Sequence, residues 1–210
     1  MTATTKNHDA TWARITSDIL SPPMIWGVLA FPVAFRAAQS LQQTLIWALT
    51  YTALVCVMPA IYIGLNVWRG RISDIHIPIR EQRIRPFAVS LVGTLLAWLA
   101  LTWMGAPALL PMFALFSFVQ IGVMLLITIW WQISMHTMCI TGAVIVTGAL
   151  YGWLPMLLIA PLIPMVGAAR LKLRRHTAAE VIAGFIVGGV VTLIMVLISQ
   201  PVLLALPPIF

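Results

Sequence analysis

Thr44 to Trp68 runs for 25 residues without one charged side chain. A helix needs roughly 20 residues to cross a bilayer, and this run ends abruptly at the hydrophilic stretch RGRISDIHIPIREQRIRP. It is one of seven apolar runs. The others are Ile19 to Phe35, weakened by Pro22, Pro23 and Pro32, then Phe87 to Met104, Ala108 to Trp131, Ser134 to Tyr151, Leu154 to Ala169 and Thr177 to Ser199. Lipid offers the backbone no hydrogen-bonding partner, so segments of this kind cross as helices. The expected fold is therefore all-α, a polytopic integral membrane helix bundle with six to seven transmembrane helices. Composition leads to the same place: 61% of the 210 residues are hydrophobic and 8% charged, with a mean hydropathy of +1.03, which excludes a soluble domain of this size.

Residues 1–18 read as a polar N-terminal segment and 19–210 as a single membrane-embedded domain. The opening MTATTKNHDATWARITSDIL is mixed in charge and lacks an apolar core, so a retained N-terminus is expected in place of a cleaved signal. Gly105-Ala106-Pro107 is a tight turn that makes a hairpin of its neighbours. Gly152 with Pro155 breaks the chain between two runs, and Pro155, Pro161 and Pro164 kink the second. Gly184, Gly188 and Gly189 permit close helix approach in the last span. Cys56 and Cys139 sit far apart in apolar surroundings and read as packing residues, not as a disulfide or a thiolate metal site. Tryptophans near span ends read as interfacial anchors.

The net charge of +7 does not point to nucleic acid, because the basic residues interrupt membrane spans and form no soluble face. Lipid head groups or phosphates fit better. Seven spans place the loops after the second, fourth and sixth on one face, together with eleven of the twelve Lys/Arg residues, all but Arg36. The positive-inside rule makes that face cytoplasmic in a multi-pass protein of the cell membrane.

Three polar stations meet on that face. The first holds His76, Arg80, Glu81, Arg83, Arg85 and Pro86; the second is Ile-Ser-Met-His, residues 133 to 136; the third is ARLKLRRHTAAEVIAG, from Ala169 to Gly184. Taken singly, they read as a lipid-facing basic loop, a helix-end histidine and a cytoplasmic positive cluster. Together they read differently, because ionisable groups at membrane depth are functional candidates. His176 and Glu180 are four apart, so a helix starting near Thr177 puts them one turn apart on one face. An imidazole oriented by a carboxylate and faced by the Arg170 guanidinium suits attack on phosphorus.

In order and spacing, the stations resemble the phosphatidic acid phosphatase type 2 superfamily, whose pattern is K-x6-R-P, then P-S-G-H, then S-R-x5-H-x3-D. The match spans roughly Pro78 to Gly184. Arg170, His176 and, in the aspartate position, Glu180 match the third motif, with Ala169 replacing serine. Ser134 and His136 match the second, with Ile133 and Met135 replacing proline and glycine. Arg85 and Pro86 match the first; Pro78 stands in the lysine position, with Arg80 or Arg83 as substitutes. The pattern is that of a divergent branch.

The resemblance implies a nucleophile at His176 that forms a phosphohistidine, oriented by Glu180. It implies a general acid and later base at His136, and phosphate binding by Arg85, Arg170 and the Ser134 hydroxyl with Arg80 or Arg83 in support. It implies no cofactor and no metal; independently, the five Asp/Glu residues contain no closely spaced pair of the kind that holds magnesium. The expected activity is hydrolysis of a lipid phosphate, either an isoprenoid mono- or diphosphate or a glycerolipid phosphate. The partners are the bilayer and that substrate, not nucleic acid. A lipid phosphotransferase remains an alternative, as does a non-catalytic protein that binds anionic lipid with the same fold. A transporter fits less well, because its polar groups would lie near mid-span. Asp74 and His76, which have no counterpart in the motifs, are expected to order the first loop.

Overall fold

The computed structural model describes residues 10–206, and among these every regular element is helical. Helix α1 (Thr11–Ile19) ends where the Leu20 amide closes on the Thr16 carbonyl, and α2 (Pro22–Ala37) begins at once. Proline suits that start, since the first helical amides have no partner within the helix. The α1–α2 pair bends by 47°. Helix α3 (Leu41–Trp68) is capped by Ser40 and contains a π-helical turn, Thr52–Val57. That turn pushes the Leu54 carbonyl toward the following helix, where Gly93 leaves the room a side chain would fill. A 3-10 turn, Arg80–Arg83, leads into α4 (Ile84–Trp103), and α5 (Leu109–Thr128) returns beside it around Gly105, whose φ is +69°.

Helix α6 (Met135–Tyr151) stops at Gly152, whose φ of +87° no ordinary residue adopts cheaply. The next stretch is broken as its prolines require, into α7 (Trp153–Ile159) and α8 (Leu162–Lys172). Helix α9 (Ala178–Ile198) follows, and α10 (Gln200–Leu204) closes the described chain. Two pairings dominate: α4 against α5, and α6 against α9. In the second, Gly184 sits over the Ser134 carbonyl and Gly188 over the Met138 backbone, so the axes approach as closely as small residues allow. Arg36, the lone cation expected on the far face, donates from Nε to the Leu150 carbonyl at 3.3 Å near the end of α6, where the helix dipole favours a positive charge.

Five helical stretches are long and apolar enough to cross a membrane: Leu41–Trp68, Arg80–Trp103, Leu109–Thr128, Trp153–Lys172 and Ala178–Ile198. Counting the bent α1–α2 pair as one span makes six. The remaining expected span, α6, is an apolar helix of 17 residues, at the short end of the length that crosses a bilayer. It is surrounded by α2, α8 and α9, and most of its residues are buried. Trp68, Trp103, Trp130 and Trp153 lie exposed at or next to helix ends, as amphipathic rings at an interface would.

Candidate active site

The site forms where the starts of α4, α6 and α9 meet the ends of α1 and α8. Its central residue is His176, in the turn before α9. Thr177 caps that helix: its hydroxyl accepts from the Glu180 amide at 3.3 Å, while Glu180 Oε2 accepts from the Thr177 amide at 3.0 Å. This reciprocal box holds the Glu180 side chain back toward the helix start. The same Oε2 lies 3.0 Å from His176 Nδ1. A carboxylate can only accept, so Nδ1 carries the proton and Nε2 keeps its lone pair. Burial, reinforced by the Arg170 and Arg83 guanidinium groups, lowers the His176 pKa to about 4, with Glu180 opposing the shift. The ring is thus neutral at physiological pH, the state a nitrogen nucleophile requires.

Arg170, on the last turn of α8, is 2% exposed. Its Nη1 donates to the Ser17 hydroxyl at 2.6 Å, and its Nε is buried without a partner. An unpaired donor of a buried guanidinium is costly unless something fills the place. Arg83 is also buried; its Nε donates to the Ile77 carbonyl at 2.8 Å, and no side chain or carbonyl among the described residues takes its Nη groups. Ile77 is held at φ +46°, a strained conformation for a β-branched residue, in the turn that presents that carbonyl. His136 occupies the first turn of α6, with Nε2 3.2 Å from the Ser17 carbonyl.

These groups face one cavity of about 430 Å³, lined by Asp18, His76, Arg83, His136, Arg170 and His176 at its polar end. The remaining wall is largely apolar and includes Val55, Pro59, Ile63, Phe87, Ile121 and Met124. Part of it comes from the π-helical turn of α3, an irregularity that recurs at functional sites. A cavity that joins buried cationic groups to an apolar wall suits an amphiphile with an anionic head.

The sequence-predicted residues do not all arrive there. His176, His136, Arg170 and Arg83 line the cavity, and Glu180 touches it through His176. Arg85 is exposed on the outside of α4 and does not line the cavity, so Arg83, two residues earlier, is the first-station arginine that faces it. Arg80 turns away to the Ile129 carbonyl at 3.0 Å and to Glu81. The Ser134 hydroxyl caps α6 at the Thr137 amide, outside the cavity lining, while its amide donates to the Glu180 carbonyl at 3.0 Å and ties the second station to the third. The first loop is ordered by Asp74, which accepts from the His76 amide at 2.8 Å and pairs with Arg175 at 3.2 Å. The His76 amide and the Arg175 guanidinium hold the Asp74 carboxyl below the usual carboxylate range.

Ser17, Asp18 and Arg175 are contributors that the motifs do not mark. Ser17 and Asp18 end a short helix whose spacing is amphipathic, with Trp12, Ile15 and Ile19 exposed and Ala13 and Ser17 buried. That periodicity is the one signal by which they could be found. Among the described residues, no group of three or more His, Cys, Asp or Glu side chains is placed to hold a metal ion. No family model matches the chain, and comparison with curated proteins and with solved structures gives no match either.

Proposed function

We propose that this chain is an integral membrane phosphatase that hydrolyses a lipid phosphate, an isoprenoid mono- or diphosphate or a glycerolipid phosphate, through a phosphohistidine at His176. The observation that carries the reading is the neutral His176 imidazole, fixed through Nδ1 by Glu180, on a cavity that is also lined by the buried Arg170, whose Nε has no partner. Nucleophile, orienting carboxylate and phosphate-binding cation are the parts that in-line attack on phosphorus needs. Nε2 of His176 attacks phosphorus as the bond to the leaving oxygen breaks. His136 gives that oxygen a proton, and then takes one from the water that attacks the phosphoenzyme, releasing inorganic phosphate. Arg170 and Arg83 neutralise the phosphoryl oxygens throughout. The apolar wall holds the lipid chain while the head group meets the buried cations, and the positive loops set this face toward the cytoplasm of the cell membrane.

The likeness of the three stations to the phosphatidic acid phosphatase type 2 superfamily supports the same reading. A second reading draws on the positions of Arg85 and Ser134 outside the cavity: a protein of this fold that binds anionic lipid without turning it over. Transfer of the phosphoryl group to a second lipid is a third, and it shares the phosphohistidine. Phosphate release by the detergent-purified protein from prenyl phosphates, prenyl diphosphates and phosphatidate, in EDTA and beside His176→Ala, separates these. Release by the parent alone supports the phosphatase. Loss of substrate with labelled phosphate appearing on an added lipid supports the transferase. Equal lipid binding by both proteins without turnover supports the binding protein.

A further inference from the structure

The last two residues before Ile19 in α1 meet the site at three points. The Ser17 hydroxyl accepts from Arg170 Nη1 at 2.6 Å, the Ser17 carbonyl lies 3.2 Å from His136 Nε2, and the Asp18 carboxylate lies 3.1 Å from His76 Nε2. Each time the site offers a nitrogen and the turn an oxygen. The C-terminal end of a helix also carries partial negative charge, so hydroxyl, carbonyl and carboxylate together present what a bound anion would.

His76 belongs with the other two nitrogens. It lines the same cavity, its ring stacks on His136 with centroids 6.3 Å apart, and Asp74 holds it from behind, 3.3 Å from Nδ1. Asp74 is in turn held by Arg175. With both ring nitrogens facing carboxylates, His76 is arranged as a donor.

We propose that Arg170, His136 and His76 form one oxyanion cradle, and that the Ser17–Asp18 turn is its resident occupant, displaced when a phosphorylated ligand binds. This rests on the phosphate reading above. Helix α1 is built to leave without unfolding. Its buried residues are the small Ala13 and Ser17, so little apolar surface is lost on release. It hinges at the 47° bend before Pro22, and Trp12, Ile15 and Ile19 form an exposed apolar face that suits the head-group boundary of a bilayer. Once displaced, the turn returns its donors to the ligand, and His76 supplies a donor contact where the motif lysine is replaced by Pro78.

The test uses inorganic phosphate as the probe and two readouts on the purified full chain. The first is phosphate affinity of the parent, of the Ser17→Ala/Asp18→Asn variant and of His76→Ala. The double variant should bind phosphate about tenfold more tightly, because two charge-assisted hydrogen bonds no longer compete, and His76→Ala about tenfold more weakly. The second readout leaves the cradle untouched: Ala13→Cys, buried under α8, is labelled with a thiol reagent and corrected for the native cysteines. Saturating phosphate should raise its labelling rate several-fold. Phosphate binding that leaves this rate unchanged, or a double variant that binds no more tightly than the parent, overturns the resident occupant. Unchanged affinity in His76→Ala removes His76 from the cradle and overturns that part. If neither the parent nor the double variant binds phosphate, the anion site itself fails, and the proposed function fails with it.

Discussion

His176 is chemically useful because of what its two nitrogens face: Nδ1 meets a carboxylate and Nε2 the cavity. Glu180→Gln would keep the length of the arm but let the amide donate to Nδ1, turning the lone pair away from the substrate. We expect turnover to fall about 10²- to 10⁴-fold with little change in KM, the signature of a wrong tautomer, as a steady-state comparison would read. The lowered pKa of His176 has its own consequence. Because the folded protein resists protonating this ring down to about pH 4 while the unfolded chain takes the proton near 6.5, the unfolded state binds more protons between those values. Stability therefore falls as pH is lowered from about 6.5 toward 4. Thermal unfolding across that window should show the decline, and His176→Gln should flatten it.

At the level of helices, the site depends on how closely α9 approaches α6. A Cβ at Gly188 would come within 2.5 Å of the Met138 carbonyl oxygen, and backbone cannot yield as a side chain can. Gly188→Val should cost about 1–3 kcal/mol or more, and chemical denaturation would measure it. At Thr177, loss of the cap costs about 1 kcal/mol. Thr177→Ala should also lower turnover more than its stability loss explains, because the box that aims Glu180 is broken. The pattern Thr177-x-x-Glu180 is legible in the sequence as a capping box, and the four-residue spacing of His176 and Glu180 already puts the two groups on one face. Helix runs, the Gly105 turn and the Gly152 break are equally legible, because apolar length and glycine placement are local properties. Which arginine of the first station reaches the cavity is not legible. Arg83 and Arg85 are chemically equivalent in a chain of letters, and only the strained Ile77 turn, which binds Arg83, separates them. Nor could motif spacing find Ser17, which meets His136 across a separation of 119 residues, or Asp18, which meets His76 across 58.

Across the whole molecule, buried cationic groups share one cavity with an apolar wall built partly by α3, where Ala60 and Gly64 line the cavity and are exposed. Ala60→Trp should fill part of the space along that wall and lower activity on long-chain lipid phosphates about tenfold or more, while short-chain phosphates that reach only the cationic groups keep theirs; a chain-length series would register the difference. The helices bring together residues 17 through 180 because most ionisable groups gather at one end of the bundle, where their burial is costly unless they meet partners or a ligand. Covalent chemistry at His176 is tested most directly by rapid quenching during turnover of a lipid phosphate labelled in its phosphorus. A phosphohistidine intermediate leaves acid-labile, base-stable label on the protein, mapped to the peptide containing His176 and absent from His176→Ala. Turnover that persists in His176→Ala, or that proceeds in the parent with no protein-bound label at any quench time, would contradict it.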